Sequence, residues 1–195
     1  MCARYRLTSS PSQIAVHLGI AIDPDTMSQL SPRLNISVSQ RVPILRSDGG
    51  GRRVQMAEWG FRAKWDSSKR IFNAMAETAD QKPTFRDAFT TGRCLLPADG
   101  FYEWPGKQMT LIHYQDDRLF CFAGIWQEDE VAMLTCAPNE FMEPIHRRMP
   151  VILAPDQYER WLDLNTPADE LRAMMGSRPW QMMKASPAAV ARHQV

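Results

Sequence analysis

The sequence predicts an α+β fold, a mainly antiparallel, barrel-like β-sheet core flanked by several short helices. Apolar, β-branched and aromatic runs broken by turn signals crowd the middle of the chain. Capped helical patterns lie on either side, and no strand–helix–strand alternation points to a parallel array. With 195 residues, 44% of them hydrophobic, and six tryptophans, the chain can bury one sizeable core. No repeat or low-complexity linker divides it, so a single domain over residues 1–195 is expected.

The elements follow in order. "SPSQIAVHL" opens a helix, with Ser10 as N-cap, Pro11 at the first helical position and Gln13 completing a capping box. "RVPILRSDGGGRRVQMAEW" reads as two strands joined by the glycine-rich turn at 48–51. "TFRDAFTTG" reads as a short helix closed by Gly92. "CLLPADGFYEW", "LIHYQDDRLFCFAGIW" and "VAMLTCA" read as strands interrupted by turns. Two helices follow, "PDQYERWLDL" and "TPADELRAMMG", the second with Thr166 as cap and Gly176 as its end.

The net charge of +1 excludes a molecule that seeks polyanions with its whole surface. Residues 41–70 are locally basic, with eight Lys and Arg against three Asp and Glu, which fits either a phosphate track or an ordinary solvated hairpin. The four cysteines form no C-x-x-C pair, so no zinc is expected, and free thiols fit a reducing, cytoplasmic setting. "SDGGGR" lacks the context and the Lys-Ser/Thr of a phosphate loop, so no nucleotide, flavin or other cofactor is expected. Nothing reads as a signal peptide or a membrane span.

The opening "MCARY" places a nucleophile where chains normally fray. If Met1 leaves, Cys2 carries a free α-amine beside its thiol. Asn73, Glu103 and His146 each have a structural explanation when taken singly: a turn cap, a surface strand residue, a satisfied histidine. Their joint placement is more informative. The segments "MCAR", "FNAMAET", "CLLPADGFYEW" and "IHRRMPVIL", with Trp59-Gly60-Phe61, Ala123-Gly124-Ile125-Trp126 and Thr135 to Asn139 between them, resemble in order the SOS-response-associated peptidase family. The likeness runs from Met1 to about Trp161 and fades after about residue 165.

That resemblance implies a protein that recognises abasic sites in single-stranded DNA and joins them covalently through Cys2, closing a thiazolidine. It also implies autoproteolytic peptidase and lyase-like chemistry. Glu103 would assist removal of Met1 and handle protons, His146 would act as general acid/base at the sugar, and Asn73 would position the reacting group. Arg4 and Arg148 would hold phosphates, with Thr135 among the DNA contacts. Trp59, Phe61 and Trp65 would stack on bases or would simply pack inside. A monomer is expected, cytoplasmic and nucleoid-associated on DNA damage. A thiol peptidase acting on other proteins and a non-covalent single-strand binder are the competing readings. Three departures from the family pattern stand out: Ala3 for glycine, Val38 for proline and Met75 for arginine.

Overall fold

The computed structural model describes residues 2–47, 50–64 and 66–189. Strand β1 (Arg4–Leu7) leads into α1 (Pro11–Leu18) and α2 (Pro24–Gln29), then β2 (Arg33–Ser37). The long hairpin β3 (Arg41–Ser47) and β4 (Arg52–Trp59) follows, then β5 (Phe61–Ala63), β6 (Asp66–Ile71) and β7 (Asn73–Met75). Helix α3 (Arg86–Thr91) precedes β8 (Arg93–Ala98), β9 (Gly100–Glu103), β10 (Thr110–Tyr114), β11 (Phe120–Gln127) and β12 (Glu130–Cys136). The chain ends with β13 (Met149–Pro150), β14 (Ile152–Leu153), α4 (Tyr158–Leu162), α5 (Ala168–Met175) and β15 (Met183–Pro187).

Five strands close on themselves. β4 pairs with β3, β3 with β8, β8 with β11 and β11 with β12, all antiparallel. A short parallel pairing, Glu130 with Glu58 and Val131 with Trp59, then joins β12 back to β4. The core is thus a small barrel, in keeping with the mainly antiparallel, barrel-like sheet expected from the apolar runs. Its interior and the layer around it include Ile44, Leu45, Leu95, Leu96 and Phe122, all at or below 1% exposure. Each such side chain contributes roughly 1.5–3 kcal/mol by leaving water.

A second sheet, in the order β15-β10-β9-β1-β2, packs beside the ring and carries the chain's start. Tyr5 joins the two layers, packing edge-on to Trp59 of β4 and Phe122 of β11 at 5.3 and 5.8 Å between ring centroids.

Local chemistry explains the helix ends. The Ser10 hydroxyl accepts from the Gln13 amide and the Gln13 side chain accepts from the Ser10 amide, the expected capping box. Thr166 departs from expectation. Pro167 occupies the cap position of α5, and the Thr166 hydroxyl turns away to donate to the Arg160 carbonyl at 2.5 Å.

The basic segment is largely neutralised by its surroundings. Arg46 is buried, bonded to Gln55 at 2.6 Å and lying 4.3 Å over the Trp126 ring. Arg62 and Arg70 share Glu58 and Glu130, and Arg52 meets Glu159 at 3.3 Å. These contacts fit the solvated hairpin better than a phosphate track.

Candidate active site at the chain start

Pairing of β1 with β9 sets Tyr5 opposite Phe101 and Arg6 opposite Gly100. Two more residues of that register bring Glu103 level with Ala3, next to Cys2. The remaining anchor is Asp99, whose carboxylate accepts from the Thr8 amide at 2.6 Å and the Ser9 amide at 3.0 Å, and which pairs with Arg6 at 2.9 Å. A buried carboxylate with this many donors fixes the strand that presents Cys2. Asp99 lies inside the "PADGFYEW" block, but its partners near residue 8 carry no signal in the sequence.

Cys2 is 1% exposed, and its thiol donates weakly to the Arg4 carbonyl at 3.8 Å. Burial, reinforced by the charge of nearby Glu103, raises the thiol pKa far above its usual value, so it is protonated at neutral pH. Glu103 is itself buried, which pushes its carboxyl up to about 7. It can therefore both give and take a proton near neutrality.

Asn73 sits on β7, which runs parallel to β12 with Asn73 beside Met133. Its Nδ2 donates to the Cys2 carbonyl at 3.0 Å. Its Oδ1 is buried and has no hydrogen-bond partner among the described residues, which leaves an acceptor available to a reacting amine or hydroxyl.

His146 reaches the same strand from the other flank, in the loop before β13, which pairs with Thr135 and Cys136 of β12. Its Nδ1 lies 3.0 Å from both the amide and the carbonyl of Arg148, so the backbone sets the ring plane. Burial lowers its pKa and keeps the imidazole neutral at pH 7. The structure thus bonds Asn73 to Cys2, places Glu103 near enough for its charge to act on the thiol, and attaches His146 to Asn73's strand through β12.

The family profile for SOS response associated peptidase (SRAP) matches residues 1–193. The chain belongs to the SRAP family. The match extends past Trp161, so helix α5 and strand β15 lie within the family's span. Abasic site processing protein YoqW of Bacillus subtilis is 34% identical over 195 residues, 90% of this chain and 86% of that protein. Abasic site processing protein YoaM of the same organism is 34% identical over 200 residues, 90% of this chain and 85% of that one. A crystal structure of a protein from Bacteroides thetaiotaomicron superposes with a TM-score of 0.85 over 97% of this chain and 93% of that one. At 23% identity this likeness concerns the fold.

In this SRAP chain the expected DNA-contact residues divide. Arg4 is half-buried, its guanidinium 5.5 Å over the ring of exposed Trp104. Arg148 is bound to Glu77 through two bonds of 2.7 and 2.8 Å. Trp59 and Phe61 are corrections: both are fully buried, Trp59 with its Nε1 donating to the Phe72 carbonyl, so neither offers a face to a base. Aromatic residues in strands pack inward when the ring behind them needs filling. Thr135 is also buried, and its carbonyl accepts from the Arg148 guanidinium at 2.5 Å, a bracing role in place of direct contact. Trp65 lies outside the described residues.

Ala3 has no positive φ, so its methyl causes no backbone strain. Met75 is 42% exposed, where an arginine would be free to reach outward. Glu77 escaped the sequence reading: it lies within "FNAMAET", but its partner Arg148 is 71 residues away. Among the described residues, no group of three His, Cys, Asp or Glu is placed to hold a metal, and no helix is long and apolar enough to cross a membrane.

Proposed function

We propose that the protein processes abasic sites in single-stranded DNA by covalent capture at Cys2. The observation that carries this reading is the meeting of three distant segments at residue 2: the Asn73 amide on the Cys2 carbonyl at 3.0 Å and a buried, readily titrated Glu103 beside the thiol. The names of the related proteins support the same substrate.

Met1 leaves first, through an aminopeptidase or through self-cleavage assisted by Glu103. The new α-amine has an ordinary pKa of ~7.7–8.0, so part of it is neutral at physiological pH. His146 promotes opening of the abasic sugar to its aldehyde. The amine attacks C1′ and, with loss of water, forms an imine. Glu103 gives the proton that the departing hydroxyl needs. The Cys2 thiol then adds to the imine carbon, its proton passing to the nitrogen, and a five-membered thiazolidine closes.

Order matters here. The thiol is protonated and the amine is not fully so, hence the amine reacts first. The second attack is intramolecular, where a well-placed group has an effective concentration of about 10⁵ M or more. A thiol peptidase acting on other proteins would need a ready thiolate, which burial and Glu103 both oppose.

The test uses protein whose intact mass confirms loss of Met1. It is incubated with single-stranded DNA holding one abasic site and resolved on a denaturing gel. A shifted band is expected, absent with Cys2→Ala and absent when the α-amine is acetylated. A band that persists in Cys2→Ala, or no band from processed wild type, would overturn the reading.

A further inference from the structure

The Arg148 guanidinium is spoken for before any nucleic acid arrives. Nη1 and Nη2 take the two Glu77 oxygens at 2.7 and 2.8 Å, and Nη2 also reaches the Thr135 carbonyl at 2.5 Å. The Arg148 side chain is only 14% exposed, while Glu77 above it is 45% exposed. The Arg148 Nε is buried and has no hydrogen-bond partner among the described residues, so this guanidinium still has a donor to give. Glu77 also lines a cavity of about 330 Å³ with Cys136, Arg172 and Asp80, the last two paired at 2.9 Å, so the carboxylate has open space to swing into when it leaves Arg148. Arg148 in turn holds the Glu77 carboxyl below its usual range, so the ion pair is intact at neutral pH.

We infer that Glu77 is a built-in counter-ion that a strand phosphate must displace from Arg148. The inference rests on the expectation, implied by the family resemblance, that Arg148 meets DNA phosphate, and it adds what regulates that contact. A planar guanidinium binds a carboxylate and a phosphate with the same two-pronged geometry, so the two anions compete for one seat. Competition weakens every strand alike at the non-covalent stage. An undamaged strand has only that stage and is released. A strand with an abasic site goes on to react at Cys2 and is retained. Glu77 therefore keeps intact DNA from occupying the protein, an effect on its availability and not on the relative affinity of the two strands.

The experiment measures equilibrium binding of an undamaged single-stranded oligonucleotide to wild type, Glu77→Gln, Arg148→Gln and the double variant, between 50 and 200 mM salt, with thermal melts to show that each is folded. Glu77→Gln is expected to bind about five-fold tighter, the scale of one exposed or half-exposed ion pair. Its salt dependence should steepen by about 0.7 in log–log slope, because the phosphate then meets Arg148 without freeing a carboxylate that takes up a cation. Arg148→Gln should abolish that gain in the double variant. If Glu77→Gln binds equally or more weakly while Arg148→Gln weakens binding, Glu77 is a brace and the inference fails alone. If Arg148→Gln changes nothing in either background, the phosphate role of Arg148 fails and takes the inference with it. Covalent capture at Cys2 is scored separately and survives either result.

Discussion

The ring formed by β3, β4, β8, β11 and β12 and the sheet that carries β1 both bury ionisable groups, but of opposite kinds. In the ring, the charged group is typified by Arg93. Its guanidinium donates to the carbonyls of Trp161, Phe89 and Asp163 at 2.8, 2.9 and 2.7 Å, and arginine keeps its proton at any physiological pH. Cys94 and Cys121 there are enclosed thiols whose pKa burial raises, so they pack as small apolar residues. In the other sheet the enclosed groups are Cys2, Asp99, Glu103 and His113. Glu103 titrates near neutrality, and the Cys2 carbonyl is held by an amide from a strand of the other sheet. Charge that is fixed and fully bonded stabilises; charge that can change is where chemistry resides.

That contrast can be broken by substitutions on each side. The largest effect is expected from Gly92→Ala, at the entry to the ring. A Cβ there would lie 2.0 Å from the Trp126 carbonyl oxygen, which cannot move without disturbing β11. A loss of about 3 kcal/mol is expected, read by thermal or denaturant unfolding. The rate of Cys2 crosslinking per folded molecule, measured well below the transition, should be unchanged. A loss of rate in the folded protein would show that the ring and the site are not separable.

Glu103→Gln should do the reverse. Burial pushes the carboxyl up to about 7 from an ordinary 4.5, so ionising it inside the protein is unfavourable. That cost is absent below pH 4.5, grows as the pH rises through the interval and is complete above 7. Glu103→Gln should therefore stabilise the protein at pH 8 by on the order of 2 kcal/mol and leave it unchanged at pH 4. Crosslinking should slow, and its rise or fall through pH 7 should flatten. Equal stability of the two proteins at pH 8 would remove Glu103 from the titrating set.

A smaller effect is expected at Arg4, which is half-buried against Trp104 in the sheet that carries the chain's start. Arg4→Ala should weaken binding of undamaged single strands about three-fold and make the salt slope shallower by about 0.7. Unaltered salt dependence would assign Arg4 to packing alone.

Much of the barrel was legible because its strands are long and apolar, and the Ser10–Gln13 box because its chemistry is local. Closure of the ring was not, since the β12–β4 pairing joins residues far apart in sequence through only two matched positions. β13 and β14 have two residues each, too few for any periodicity to register. β15 lies in a tail with little apolar pattern and becomes a strand by pairing with β10 along its whole length. At the site, residue types in family order pointed to Cys2, Asn73, Glu103 and His146. Whether an aromatic such as Trp59 faces a ligand or a core depends on what lies behind its strand, and only the tertiary structure supplies that.

The enclosure of Cys2 has a consequence for how the protein ages in the cell. Peroxide attacks thiolates, and a cysteine climbs from sulfenic to irreversibly oxidised forms at a rate set by its ionisation and accessibility. With 1% of its surface exposed and its proton firmly held, Cys2 is a poor target for dissolved oxidants. A thiol so enclosed stays reduced under conditions that oxidise exposed cysteines.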